Sequence, residues 1–100
     1  MNNQILTIEV ITRIVKPLAE KYHISEVYIF GSYARGEADG ESDVDILVNG
    51  GVDFNKKHIF SFGSELSAAL GKPVDAYEIC EINAESSLCR SIMKERVQVV

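Results

Sequence analysis

Asp43 and Asp45 stand two residues apart at the head of an apolar run, Val44–Val48. Residues two apart on a strand share a face, so both carboxylates would project together from the start of that strand. Paired carboxylates repel unless a cation lies between them, and hard oxygen donors in that number suit Mg2+ or Mn2+. A solvated strand entry is the plainer account of an isolated Asp-x-Asp. Upstream, Gly31-Ser32 follows directly on a second apolar run, Val27–Phe30. A glycine there lets backbone come close to a ligand, and free amides opening a short helical turn can hold phosphate. Ser32 adds a hydroxyl donor; an ordinary strand-ending glycine is the alternative. Arg35, three residues after Ser32, can pair with phosphate oxygens or with Glu37, Asp39 or Glu41.

The surrounding periodicities say what must hold these residues. Ile8, Ile11, Ile14, Val15, Leu18 and Tyr22 recur at helical spacing and predict an amphipathic helix over Thr7–Tyr22, with Thr7 as N-cap and a kink at Pro17. Val27–Phe30 reads as a strand stopped by Gly31, and Val44–Val48 as a second strand closed by Asn49-Gly50-Gly51. Phe54–Leu70 reads as a helix ended by Gly71, and Val74–Ile79 as a third strand. Asn83 would cap a last helix over Ala84–Lys94 with Leu88, Ile92 and Met93 facing inward; Val97–Val100 is either a short edge strand or a frayed tail. Only about a dozen residues join the first two strands, which favours an antiparallel pair. The helix between the second and third strands suits a right-handed parallel crossover. The expected architecture is therefore an α/β (α+β) two-layer fold: one domain over residues 1–100, a small mixed sheet with helices on one face and the other face open.

Gly31-Ser32, ten intervening residues and Asp43-x-Asp45 together resemble the nucleotidyltransferase signature of the DNA polymerase β superfamily. Phe30, Ala34-Arg35-Gly36 and Ser42 look like the minimal nucleotidyltransferase (MNT) family, the MntA-type antitoxins of HEPN/MNT toxin–antitoxin systems. The resemblance implies a third carboxylate on the next strand, which Asp75 supplies; parallel pairing of the second and third strands would bring it beside Asp43 and Asp45, while Glu78 falls on the opposite face. It further implies that Asp43, Asp45 and Asp75 bind one or two Mg2+ ions, with Mn2+ able to substitute, and that Asp75 ligates the second ion or accepts the acceptor's proton. Gly31, Ser32 and Arg35 would take the phosphates of ATP. The implied reaction moves AMP onto a hydroxyl of a partner protein, a HEPN RNase toxin, and so neutralises it. Two other readings stand beside that one: a module of the same fold that inhibits by occlusion alone, and a split antibiotic-modifying enzyme whose second subunit holds the drug.

The composition bounds these readings. One hundred residues with 46% hydrophobic and 25% charged side chains describe a globular chain rather than a disordered one. The net charge of −5 argues against a module that coats nucleic acid, so none is expected as a direct partner. No apolar run approaches the ~20 residues of a membrane span, and Met1–Glu9 lacks a signal-peptide pattern. Two cysteines, Cys80 and Cys89, without secretory context lead to the expectation of a reducing, cytoplasmic setting, and the pair lacks metal-ligand spacing. His23 and His58 have no neighbouring ligand type, and Tyr33 is a candidate either for stacking on a base or for packing. Little chain follows Ile79, so the acceptor is expected on another chain. Val97, Val99, Val100 and the last helix are candidates for that interface, with Leu88 and Ile92 assigned to core packing.

Overall fold

The computed structural model describes residues 5–51, 54–55, 57–78 and 87–100. Thr7 is extended, and its hydroxyl accepts the Val10 N–H at 3.1 Å, opening helix α1, Ile8–Lys21. Ile11, Val15 and Ala19, each four residues apart, form its buried stripe. Pro17 lies inside this helix on the exposed side. The helix runs through it for one further turn, where Tyr22 and then His23, with φ 57°, close it.

Strand β1 (Glu26–Phe30) follows, then a single turn α2 (Ser32–Arg35), strand β2 (Val44–Asn49), helix α3 (His58–Leu70), strand β3 (Val74–Glu78), helix α4 (Ser87–Glu95) and strand β4 (Val97–Gln98). The four strands make one sheet in the order β3-β2-β1-β4. β1 and β2 are antiparallel, β2 and β3 are parallel, and β4 runs antiparallel to β1. The mixed sheet and both strand orientations agree with the sequence reading, and β4 resolves the ambiguity over Val97–Val100 in favour of an edge strand.

Alternation along the strands sorts their side chains onto two faces. Val27 and Ile29 of β1 and Val44, Ile46 and Val48 of β2 meet Ile11, Val15 and Ala19 of α1 and Phe62, Leu66 and Leu70 of α3. The second face is not bare, which corrects the expected single-sided packing. Tyr28, Phe30 and Leu47 point there, and Ile92 of α4 packs on them, 1% exposed. The Arg96 guanidinium sits 4.3 Å over the Tyr28 ring on the same cluster. Tyr28 and Phe30 would otherwise offer two aromatic faces to water, and burying them contributes roughly 1.5–3 kcal/mol for each large side chain.

Other boundaries shift for local reasons. α3 starts at His58 rather than Phe54, because the Asn55 carbonyl accepts the His58 N–H at 2.8 Å and its side chain accepts the Lys57 N–H at 3.0 Å. That local pairing holds a turn where periodicity alone suggested helix. Phe54 packs against the core from the connection, and its ring fills the space that a side chain on Gly50 would need. β3 is described as far as Glu78; Ile79, Cys80, Asn83 and Ala84 lie outside the described residues. Met93 was expected to face inward but is 47% exposed, since it stands next to the inward Ile92 on the helix circumference. Val99 is buried and Val100 packs against the core, so neither forms the exposed patch expected of them. Among the described residues, no helix is long and apolar enough to cross a membrane.

Candidate active site

β1 delivers the chain to Gly31, whose φ of 75° and ψ of −150° lie in a region that essentially only glycine occupies. The reason for glycine is also steric: a Cβ built on Gly31 would collide with the Asp45 carboxylate. The Arg35 N–H donates to the Gly31 carbonyl at 3.1 Å, making α2 one turn, and Gly36 in left-handed conformation ends it. Tyr33 is buried beneath that turn, where its hydroxyl accepts the Leu6 N–H at 3.4 Å. Its role is therefore packing, which sets aside the base-stacking alternative.

The connection from α2 to β2 is pinned at several points. Asp39 accepts the Glu41 N–H at 2.9 Å and the Ser42 hydroxyl at 3.2 Å, while the Ser42 Oγ accepts the Asp39 N–H at 2.9 Å. Lys72, only 4% exposed, donates to the Gly40 carbonyl at 2.8 Å. The Val44 N–H donates to the Pro73 carbonyl at 3.0 Å. Asp43 is thus delivered to the head of β2 by a loop tied to the start of β3.

In the sheet register Asp45 is paired with Phe30 on one side and with Asp75 on the other. Paired residues on adjacent strands share a face, so Asp45, Asp75 and the preceding Asp43 gather on the second face, beside Phe30 and Tyr77. Asp45 is half-buried, whereas Asp43 and Asp75 are exposed. Burial pushes the Asp45 carboxyl above the usual carboxylate range, and the negative charges of Asp75 and Asp43 push it further; Arg35 opposes them, and Glu95 adds to them. Among the described residues, no group of three or more His, Cys, Asp or Glu side chains is drawn together closely enough to hold a metal ion. Three carboxylates without a counter-charge gain nothing by converging. Mg2+ is commonly held through one or two carboxylates plus substrate phosphates, so a closed protein cage is not a condition for binding it.

Arg35 makes one of the pairs the sequence offered and one it did not suggest. Its Nε donates to Glu37 at 2.7 Å, and its Nη1 donates to both carboxylate oxygens of Glu95 at 3.2 Å. Glu95 also accepts the Gly31 N–H at 3.2 Å. All six predicted residues, Gly31, Ser32, Arg35, Asp43, Asp45 and Asp75, therefore lie at the same end of the sheet around the β1–α2 corner and the head of β2. Sequence reading missed Lys72 and Glu95. Lys72 carries only the weak signal of a lysine at a helix-to-strand junction, and Glu95 carries none.

A groove of about 720 Å3 borders this end of the sheet between α3 and β3, lined by Phe60, Gly63, Ser64, Ser67, Asp75 and Tyr77 among others. Phe60 is 83% exposed at its rim.

Comparison with known proteins gives the family and the fold. Residues 11–99 match the family model described as a nucleotidyltransferase domain. The protein adenylyltransferase MntA of Thermococcus cleftensis is 35% identical over 98 residues, covering 94% of this chain and 97% of the relative. A solved structure described as a candidate minimal nucleotidyltransferase superposes with a TM-score of 0.75 at 25% identity, covering 92% of this chain and 95% of that one. The fold is also shared, at TM-score 0.69 and 19% identity, with a structure described as tri-AMPylated Shewanella oneidensis HEPN toxin in complex with MNT antitoxin; it covers 92% of this chain and 71% of that one. A family model that spans most of the chain, together with a relative matched along nearly its whole length, settles the family: the chain is a nucleotidyltransferase, belongs to the nucleotidyltransferase domain family and is a homologue of the MntA protein adenylyltransferases.

Proposed function

We propose that this nucleotidyltransferase moves AMP from ATP onto a hydroxyl of a partner protein in the cytoplasm, and that the partner is a HEPN-type toxin silenced by the transfer. The observation that carries the chemistry is the placement of Asp45, paired with Asp75 across the parallel ladder and packed against Gly31. The protein target is supported by the relative at 35% identity, which is named a protein adenylyltransferase, and the toxin by the fold shared with the HEPN complex.

The oxygen donor set fits a hard divalent cation, and the upward pressure on the Asp45 carboxyl from Asp75 and Asp43 is the repulsion that such a cation relieves. Asp43, Asp45 and Asp75 would hold one or two Mg2+ ions, with Mn2+ as a substitute, and bound metal supplies charge neutralisation at the triphosphate and a more acidic acceptor hydroxyl. The remaining work falls to this chain's own groups. The Gly31 N–H, the Ser32 hydroxyl and Arg35 bind and orient the outer phosphates and stabilise the leaving pyrophosphate. The acceptor oxygen attacks the α-phosphorus, forming the new O–P bond as the bond from that phosphorus to the bridging oxygen of pyrophosphate breaks. Asp75, exposed at the edge of the site, receives the acceptor's proton. The groove between α3 and β3 opens beside Asp75, and its exposed Phe60 offers an apolar anchor for the protein that brings the hydroxyl.

The test is intact-mass spectrometry of the HEPN-type protein after incubation with this chain, ATP and Mg2+. The expected result is a gain of one or more AMP units that disappears with Asp43→Asn. An unmodified partner in a stable complex would replace transfer with occlusion as the mode of inhibition.

A further inference from the structure

We propose that Glu95 is a positioning residue for nucleotide entry, its carboxylate holding the Gly31 N–H and Arg35 in their anion-binding arrangement and giving up that place to the triphosphate. The inference rests on the reading that Gly31 and Arg35 take phosphate oxygens. A carboxylate and a phosphate present the same acceptor chemistry to a guanidinium and a backbone N–H, so one can stand where the other binds.

Glu95 Oε1 accepts from both Gly31 N–H and Arg35 Nη1 at 3.2 Å, and Oε2 accepts from the same Nη1 at 3.2 Å. The pairing is set by the end of α4. Glu95 is the last residue of that helix, and two residues on Val97 of β4 is opposite Ile29 of β1, which anchors the helix end beside Gly31. The glutamate is therefore delivered to the glycine turn by the α4–β4 junction, sixty residues along the chain from Arg35. Its side chain is 21% exposed, against 64% for Glu37, the other partner of Arg35. Glu37 pairs at the solvent edge, whereas Glu95 sits over the turn itself.

Glu95 also adds to the negative charge felt by Asp45. With Glu95 in place, the turn is preorganised but its donors are occupied and its charge opposes a polyanion. The Arg96 N–H donates to the Ile92 carbonyl at 2.8 Å, so the backbone around Glu95 is held by a bond that its side chain does not make and its release would not break. The exchange is one acceptor for another at the same two donors.

The experiment is calorimetric binding of Mg·ATP and, separately, of inorganic tripolyphosphate to the wild-type chain and to Glu95→Gln, Glu95→Ala and Ser32→Ala. Losing a partly exposed competitor should tighten both probes about three- to tenfold in the two Glu95 variants, with the gain appearing in KM rather than kcat of transfer. In an Arg35→Ala background the gain should shrink. Equal or weaker binding by folded Glu95 variants, alongside the expected loss in Ser32→Ala, overturns the role of Glu95 and leaves the phosphate site standing. If wild type binds neither probe and Ser32→Ala changes nothing, the phosphate site itself fails and the role of Glu95 goes with it. An independent reading needs no variant: tripolyphosphate added to the labelled wild-type chain should shift both the Gly31 amide and the Glu95 carboxylate resonances. A Glu95 signal unmoved at saturation overturns the proposal.

Discussion

Gly31→Ala isolates how closely the turn and the carboxylate must fit. The substitution imposes two separate costs. The first is conformational, because φ 75° and ψ −150° are closed to an alanine, and holding a residue in such a region costs about 1–3 kcal/mol. The second is steric, because the new methyl would collide with the Asp45 carboxylate. The short Asp45 side chain can turn away, so the collision converts into displacement of the carboxylate rather than a rupture of the sheet. For a chain of one hundred residues, about 2 kcal/mol lowers the melting temperature by roughly 8–16 °C. Moving a reacting group by about 1 Å costs on the order of a hundredfold in rate, so transfer should fall by at least that much in chains that remain folded. Thermal unfolding and the AMP-transfer assay measure the two effects. A double-mutant cycle with Asp45→Ala separates them: removing the carboxylate should recover the steric part of the stability loss and leave the conformational part. Wild-type stability and rate in Gly31→Ala would refute the argument, and additive losses in the double variant would refute its steric half.

Asp45→Asn should abolish transfer yet stabilise the fold at neutral pH. The folded-state pKa is raised, so the penalty is absent at acid pH, where both states are protonated. It grows as pH rises from the unfolded value of 3.8 through the folded one, and the gap in unfolding free energy between variant and wild type, measured from acid to neutral pH, should widen in that direction. Asp75→Asn should lower kcat more than it raises the KM for ATP, because Asp75 stands on the acceptor side; steady-state kinetics with an unchanged kcat would return it to an ordinary strand position. Lys72→Met keeps most of the buried aliphatic volume but strands the Gly40 carbonyl, and should destabilise by about 1–3 kcal/mol in chemical denaturation and slow transfer through a looser Asp43 loop.

What could be read from the residues was whatever obeys a short repeat. Ile8, Ile11, Val15 and Leu18 declare their helix by spacing alone, and the short connection from Gly31 to Asp43 favours the antiparallel pairing of β1 and β2 that the sheet shows; the close fit of Asp45 against Gly31 is seen only in the structure. The parallel register that pairs Asp45 with Asp75 came from treating α3 as a crossover, which holds even though the helix starts four residues later than its apolar spacing suggested. Side-chain pairing at Asn55 overrides that spacing, and such competition is invisible to periodicity. Lys72 and Glu95 were not legible because their partners, the Gly40 carbonyl and the Gly31 amide, are backbone groups far along the chain. A backbone partner leaves no residue type to recognise. Ile92 was legible as an inward residue of its helix, but the second sheet face was read as open, and nothing local said that Ile92 would pack there on Tyr28, Phe30 and Leu47.

Asp45 alternates along β2 with Val44 and Ile46, both fully buried in the core beneath α1 and α3. Shifting β2 by one residue against its neighbours would therefore drive Asp45 into that core and turn Val44, Ile46 and Val48 out of it. Burying an unpaired carboxylate costs several kcal/mol, a large share of the roughly 5–15 kcal/mol that stabilises a small domain. A chain folded in the wrong register would not persist as a damaged enzyme; it would unfold. Chemistry and folding are thereby proofread by the same alternation, and a population of this protein should divide into competent and unfolded molecules with almost nothing between.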